Sequence, residues 1–425
     1  MKKNFCVSII GLGYVGLPLA LRFIKNNIDV YGIDTDSKKI NFLKKGISPF
    51  NLNKNYEYLK YFKINNSRLS SNYNLINKTD ITIICLPTPL DKKYNPDMTY
   101  LRECFNKLKY ILKPGHALSL ESTVYPGATE ELFSKIINKK KRFKLGEDFF
   151  LLYSPERENP GDPIFSYQKT TKVVSGYSKK CKKIAKIIYS KIAKKIHVTE
   201  SIKAAEMSKL IENIYRSVNI GLVNEFKIIA DKLKIDLWDT LGAARTKNFG
   251  YRPFKPGPGT GGHCIPIDPY YLDWVIKKKN YNSTFINFSK KIDRKMPIWS
   301  FSKIKKILNK KKMIKKILFL GVSYKKNVDD TRESPALKLL NLFNYKKFRI
   351  YFHDPYVKYI KIKNKKIRCL NIDYKKLAKF DAVLITTDHD EYNYNIDKIS
   401  KYSKIIFDTR GLFKDYKKNN KIYFC

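Results

Sequence analysis

The chain has 425 residues, 43% of them apolar, with 7 cysteines and a formal net charge of +47. That length points to two or three domains, and the apolar share allows sizeable cores and argues against disorder. The cysteines are widely spaced with no CxxC or CxxH pair, which argues against a disulfide framework and against a metal site.

The first 23 residues imitate a signal peptide, but glycines, Pro18 and Arg22 interrupt the apolar run and no small-residue cleavage site follows. No run is long enough to span a bilayer, so a cytoplasmic protein without a membrane segment is expected. The lysines are dispersed, with short clusters at 139–142, 277–279, 310–316 and 363–366, beside abundant isoleucine, asparagine and tyrosine. This reads as a solvated surface rather than a nucleic-acid site, since no helix-turn-helix, zinc-finger or RNA-recognition pattern accompanies it. Its field would still attract anionic ligands.

Residues 5–10 form a short apolar run of buried-strand length. It enters Gly11-Leu12-Gly13-Tyr14-Val15-Gly16, continues through 17–24 at helical spacing, and reaches Val30-Tyr31-Gly32-Ile33 and then Asp34. This is a βαβ opening with a GxGxxG turn and an acid about 20 residues on. Gly11 permits the tight turn, Gly13 lets a pyrophosphate approach the backbone, and Gly16 lets helix pack on strand. The unpaired N–H groups of the helix start would face the phosphates. Asp34 can accept from a ribose 2′-OH and would repel a 2′-phosphate, which favours NAD over NADP, while Lys38 and Lys39 pull the other way.

Residues 80–86, 116–120 and 149–153 read as further buried strands. Ligands of open α/β sheets bind beyond the carboxyl ends of strands, which places Thr88, Thr123 and Glu156 beside a ligand. Turn capping is the plain alternative for the threonines, and a salt bridge with Arg157 for Glu156. From 201 to about 245 the pattern is one long helix in which Lys209 and Asn213, four apart, share a face. Glu206, Asn213 and Asn224 are polar in an apolar neighbourhood, and so long an apolar helix suits a dimer interface.

Residues 257–272, GPGTGGHCIPIDPYYL, hold Cys264 in a loop that is permissive through its glycines and stiff through its prolines. Asp268 stands four residues on, within reach for proton exchange with the thiol or a water. Cys6, Cys85 and Cys369 read as small buried thiols, Cys264 as a reactive one. After a helix over 285–307, a strand at 317–320, a turn at 321–325, a helix opened by Ser334-Pro335, and strands at 349–352, 382–387 and 404–408 form a second α/β unit without GxGxxG. Lys325 and Arg332 in its first turn suit phosphate binding.

Taken together and in order, GLGYVGLPLA, the PTP and STVYPG turns, SPERENPGD, KLIENIYRSVNIGLVNE, GPGTGGHCIPIDPYYL and GVSYKKNVDDTRESPA resemble the UDP-glucose/GDP-mannose dehydrogenase family over nearly the whole chain. The resemblance implies an α/β fold of two Rossmann-like domains joined by a helical dimerisation domain: an NAD-binding domain at 1–198, a central domain with the cysteine loop at 199–300, and a UDP-sugar-binding domain at 312–425. It implies an NAD-dependent, four-electron oxidation of a nucleotide sugar at C6. Cys264 would be the nucleophile, passing through a thiohemiacetal and a thioester. Lys209 and Asn213 would stabilise oxyanions, Asp268 would transfer protons, and Glu156 with Thr123 would handle the hydrolytic water. Gly11, Gly13, Tyr14, Val15, Gly16, Asp34, Thr88 and Thr123 would line NAD, with Arg332 reaching it from the C-terminal domain. Phe249, Gly250, Tyr251, Arg252, Gly261 and Lys325 would bind the UDP-sugar, Arg252 serving the neighbouring subunit of a homodimer.

SPER…NPGD with GGHCIPIDPYYL resembles the branch acting on UDP-N-acetylhexosamines. The substrate expected is UDP-N-acetylglucosamine, oxidised for a surface polysaccharide or O-antigen, with UDP-glucose and UDP-N-acetylmannosamine still open. Two readings of other classes also stay open: an inactive relative that binds nucleotide or RNA, and a single-step hydroxyacid dehydrogenase.

Overall fold

The computed structural model describes residues 5–50, 56–139, 141–157, 170–310, 316–343, 347–362, 365–416 and 421–425. The sequence readings on 158–162, and parts of the lysine clusters at 140, 311–315 and 363–364, lie outside the described residues. The chain divides into two compact units, Met1–Glu212 with Tyr270–Asn280, and Asn213–Pro269 with Tyr281–Cys425.

The first unit is built on an eight-stranded sheet: β1 (Val7–Ile10), β2 (Val30–Ile33), β3 (Leu69–Ser70), β4 (Ile81–Ile84), β5 (Ala117–Leu120), β6 (Phe150–Tyr153), β7 (Lys172–Gly176) and β8 (Ile196–Val198). The strand order is β3-β2-β1-β4-β5-β6-β7-β8. The central strands are apolar and buried throughout, as strands covered on both faces must be. Helix α1 (Gly16–Lys25) lays Leu17, Ala20, Leu21 and Ile24 into that core. The order reverses at β1, which pairs with β2 on one side and β4 on the other, so the loops after β1 and β4 part into a crevice.

One pairing departs from the parallel pattern. β7 runs antiparallel to β6, with Leu152 opposite Gly176 and Tyr153 opposite Ser175. The sequence reading passes over β7, β8 and the helix α2 (Lys179–Ser190), which Ser178 caps through the Cys181 N–H.

Helix α3 (Ile202–Leu233) begins in the first unit and supplies its residues from Asn213 onward to the second. The expected single helix to 245 is broken. Lys234 takes φ +59°, and Asp236 accepts from the Trp238 and Asp239 N–H groups to start α4 (Leu237–Arg245). A left-handed residue followed by an N-cap ends one helix and opens another. Next come α5 (Asp268–Lys277) and α6 (Thr284–Lys310).

The second sheet joins β9 (Lys316–Leu320), β10 (Arg349–His353), β13 (Ala382–Ile385), β14 (Ile406–Asp408) and β15 (Ile422–Phe424) in the order β10-β9-β13-β14-β15, all parallel, with a hairpin of β11 (Tyr359–Ile362) and β12 (Lys365–Arg368) inserted. Helix α7 (Pro335–Asn341) follows β9, with Ser334 as N-cap and Pro335 in its first turn. The chain is thus α/β, two Rossmann-like sheets, the second all parallel and the first parallel but for the β6–β7 pair, with the long helices α3 and α6 between them in sequence. No described helix is long and apolar enough to cross a membrane. All seven cysteines are free thiols; Cys85 is buried as expected, whereas Cys6 and Cys369 are half-buried.

Candidate active site

In the first unit, the glycine spacing dictates the turn after β1. Gly11 has φ +90°, and a Cβ there would stand 2.6 Å from the Cys85 carbonyl oxygen; at Gly16 it would stand 1.9 Å from that of Gly11. Beyond its chain neighbours, none of the described residues lies within 4 Å of a Cβ at Gly13, which leaves room for a ligand to approach the backbone. Helix α1 has no side-chain cap and no acid in its first turn, so its N–H groups and positive dipole end are available to an anion. Val15 is the N-cap residue, and the Tyr14 ring lies 4.4 Å from that of Phe50. Asp34 is buried past the end of β2. Its Oδ2 accepts the Leu12 N–H at 2.8 Å and lies 2.6 Å from Lys39 Nζ. The carboxylate therefore braces the glycine turn and pairs with the lysine that the sequence set against it. This cradle fits a dinucleotide.

Thr88, Thr123 and Glu156 follow β4, β5 and β6 at the carboxyl edge of the same sheet, each half-buried. Ser122 Oγ donates to the Leu86 carbonyl at 2.7 Å and ties the two threonine turns together. Glu206 of α3 accepts from the N–H groups of Gly127 (2.5 Å) and Thr129 (3.0 Å) and from Thr129 Oγ1 (2.6 Å). Burial outweighs these donors and pushes its carboxyl up to about 7.

Arg157 does not neutralise Glu156. It pairs with Glu212 at 2.7 Å and donates to the Thr171 carbonyl. Among the described residues, the cation paired with the Glu156 carboxylate is Lys172, whose Nζ lies 3.8 Å from Oε2 and 2.8 Å from Glu121 Oε2. Lys209, buried on α3, donates to the Glu156 carbonyl. Sequence reasoning missed the Glu121–Lys172 pair; the one signal was an ionisable residue flanking each of two apolar strands.

In the second unit, Asn213 Nδ2 donates to Asp268 Oδ2 at 2.5 Å, both residues buried. The Cys264 carbonyl accepts the N–H groups of Ile267 (3.0 Å) and Asp268 (2.8 Å), so the half-buried cysteine stands in the loop, as expected, at the turn that leads into α5. Three outside elements hold this segment. Asn224 of α3 accepts the Gly257 N–H at 2.9 Å, and Asp293 of α6 accepts the Thr260 N–H at 2.6 Å. The turn after β9 supplies the Arg332 carbonyl to the Gly262 N–H at 2.9 Å. The same Arg332 is gripped by the Asp330 carboxylate and lies 3.1 Å from His263 Nδ1.

A Cβ on Gly261 would meet Tyr324 Cβ at 2.7 Å and Pro335 Cδ at 2.8 Å, so this glycine admits the β9 turn against the cysteine segment. The Lys325 carbonyl accepts Ser323 Oγ, while Asp354 Oδ2 accepts the N–H groups of Val322 and Ser323. The Asn327 N–H donates to His389 Nδ1, which leaves Nε2 carrying the proton toward Asp354 at 3.1 Å. Burial would raise the Asp354 carboxyl, but His389 and these donors hold it below its ordinary range. Phe249, with 74% of its surface exposed, and Arg252 stand in solvent after α4, with Gly250 at φ +69° and Tyr251 half-buried between them.

A cavity of about 410 Å³ opens beside Tyr125, Glu130, Lys203 and Trp274, and none of these candidate residues lines it.

The sequence matches family models of the UDP-glucose/GDP-mannose dehydrogenase family: the NAD binding domain over 5–193, the central domain over 203–295 and the UDP binding domain over 318–415. It is 36% identical to a UDP-N-acetyl-D-mannosamine dehydrogenase of Methanocaldococcus jannaschii, across 96% of this chain and 92% of that protein. It is 32% identical to a UDP-N-acetyl-D-glucosamine 6-dehydrogenase of Pseudomonas aeruginosa, across 98% and 99%. The solved UDP-D-ManNAc dehydrogenase of Pyrococcus horikoshii superposes with a TM-score of 0.87 at 29% identity, covering 98% of each chain.

Proposed function

The chain belongs to the UDP-glucose/GDP-mannose dehydrogenase family and is an NAD-dependent oxidoreductase, and from that premise we propose that it oxidises a UDP-N-acetylhexosamine twice at C6, through a thioester on Cys264. The observation that supports this most is how the cysteine segment is held. Asn213 and the buried Asp268 are bonded one helical turn from the thiol, and the β9 turn packs on Gly261 and Gly262. The glycine cradle, with Thr88 and Thr123, would hold NAD, which would supply the hydride acceptor for each oxidation.

This chain's residues account for the rest. Cys264, as a thiolate, is in the form that adds to an aldehyde carbon. Asn213 and Lys209, on one face of α3, carry the oxyanion of the adduct, and Asp268 receives protons. Thr123 and Glu156 aim and deprotonate the water that cleaves the thioester. Lys325 and the segment from Phe249 to Arg252 bind the UDP-sugar, and the exposed Arg252 reaches the site of a neighbouring subunit. Arg332, gripped by Asp330, is the residue that the family likeness would assign to the cofactor. The half-exposed apolar face Leu222, Phe226, Ile229 and Leu233 on α3 supports a homodimer. A cytoplasmic setting suits seven free thiols.

UDP-N-acetylglucosamine is the substrate put first, and the product is an acidic sugar donor for a surface polysaccharide. UDP-N-acetylmannosamine is the second reading, because the relative from Methanocaldococcus jannaschii carries that name at the higher identity. The test counts NADH formed per sugar consumed with each epimer. About two NADH per sugar, abolished as a complete cycle in Cys264→Ser, is expected. One NADH per sugar, indifferent to Cys264→Ser, overturns the thioester route. Turnover of the manno epimer alone overturns only the choice of sugar.

A further inference from the structure

We propose that Glu121 and Lys172 form a positioning pair for Glu156, fixing the aim of its carboxylate and the charge around it in the water-consuming step. This rests on the thioester reading above, in which Glu156 serves the hydrolytic water.

The geometry follows from the one antiparallel pairing in the first sheet. β5, β6 and β7 are neighbours, and because β7 runs against β6 its first residue, Lys172, lies at the carboxyl edge, where Glu121 follows β5 and Glu156 follows β6. A parallel β7 would have delivered its far end there and left no lysine under the loop. Lys172 Nζ reaches Glu121 Oε2 at 2.8 Å, the Pro155 carbonyl at 3.3 Å and Glu156 Oε2 at 3.8 Å. Ser154 Oγ donates to the Val173 carbonyl at 2.7 Å and pins the end of β6 to the start of β7. The pair is almost wholly removed from water, with Lys172 2% and Glu121 1% exposed, while Glu156 is more open.

A buried ion pair contributes little net stability, since an apolar pair of similar volume often serves the fold as well. Its placement under a carboxylate needs another account, and electrostatics supplies one. Lys172 favours the ionised form of Glu156, the form that can take a proton from water. Glu121 offsets part of that cation, so Glu156 is not made too weak a base. Among the described residues, the other groups facing the cluster do not duplicate this. From the end of β4 comes Cys85 and from α2 comes Tyr189, both pushed well above their ordinary values by burial and hence neutral. From α3, Lys209 bonds the Glu156 carbonyl, and Glu212 is taken by Arg157. Burial pulls the Lys172 ammonium down, but Glu121 and Glu156 outweigh it and hold it above its ordinary value. Burial raises the Glu121 carboxyl, and its Oε1 has no hydrogen-bond partner among the described residues.

In the step concerned, water adds to the thioester carbonyl and gives one proton to Glu156. The C6–S bond breaks with its electron pair leaving on Cys264 Sγ, and the acid departs as a carboxylate after losing its own proton to solvent. A weaker supply of ionised Glu156 slows this step and leaves the two oxidations untouched.

The test compares wild type, Lys172→Met, Glu121→Gln and the double variant Glu121→Gln/Lys172→Met, each first checked for a cooperative thermal transition. The acid limb of the steady-state pH profile is expected to move up by about one pH unit in Lys172→Met and down in Glu121→Gln, opposite directions from one structural pair. Lys172→Met should also show a burst of about two NADH per site before a slow phase, with the acyl adduct on Cys264 visible by intact-mass spectrometry. The double variant, which leaves no buried charge unpaired, keeps the comparison available where Lys172→Met folds poorly, and its limb should also lie above that of wild type. Unmoved limbs with no acyl adduct, or limbs that move together in the two single variants, overturn the proposal and leave the thioester reading intact. A wild type that yields one NADH per sugar overturns that reading, and this proposal with it.

Discussion

Gly262→Ala tests how the cysteine segment and the β9 turn are packed. Gly262 has φ +84°, where an L side chain is held at a cost of about 1–2 kcal/mol. The new methyl would also sit 2.7 Å from Tyr324 Cε2, closer than real Cβ atoms come, and 3.0 Å from both Cδ2 and Cζ, tighter than most of their contacts. Relieving such overpacking costs about 1–3 kcal/mol, so the total loss expected is about 2–5 kcal/mol. Tyr324 yields by turning its ring or by drawing the β9 turn away, and the second route stretches the Gly262 N–H bond to the Arg332 carbonyl, 2.9 Å in the native packing. The assay is urea unfolding of the two single variants and the double variant Gly262→Ala/Tyr324→Leu. Removing the ring relieves the clash but not the backbone strain, so the cycle should show a coupling of about 1–3 kcal/mol, with about 1–2 kcal/mol remaining. Coupling below about 0.5 kcal/mol, the level of independent sites, would refute the close packing of these two segments.

His116, buried against Thr82 Oγ1 at 2.8 Å, is pushed down by burial to about 4 from its ordinary 6.5. Its contribution is complete above 6.5 and is lost as pH falls toward 4, because the unfolded chain then takes up a proton that the fold refuses. Between pH 7 and pH 5 this should cost about 2 kcal/mol, and the fall in urea stability should shrink by that amount in His116→Gln; equal falls in the two proteins would contradict it. On α3, Leu222→Asp/Phe226→Asp puts charge on the exposed apolar face, and if that face makes the proposed homodimer, sedimentation is expected to show a dimer for wild type and a monomer for the variant. A dimer that survives both aspartates places the interface elsewhere.

Much of this protein is written locally in its sequence. The turn from Gly11 to Gly16, the acid at Asp34 and the buried strands show themselves because a tight turn needs glycine at set offsets and a doubly covered strand must be apolar throughout. The Ser334-Pro335 helix start is equally local, since its cap and first turn lie within a few residues. Cys264 stood out for the glycines around it, but the reason for them did not. Gly261 and Gly262 are small because Tyr324 and Pro335, more than sixty residues later, pack on them.

Tertiary structure alone decided the partners of the charges. Arg157 sits beside Glu156 in sequence yet pairs with Glu212, whereas Lys172 reaches Glu156 from the next strand and Glu121 from 51 residues before it. Periodicity reports which face of an element is apolar, and turn chemistry reports where the chain reverses. Neither reports which strand edge will stand beside another, and the antiparallel entry of β7, which brings Lys172 under Glu156, is a decision of that kind.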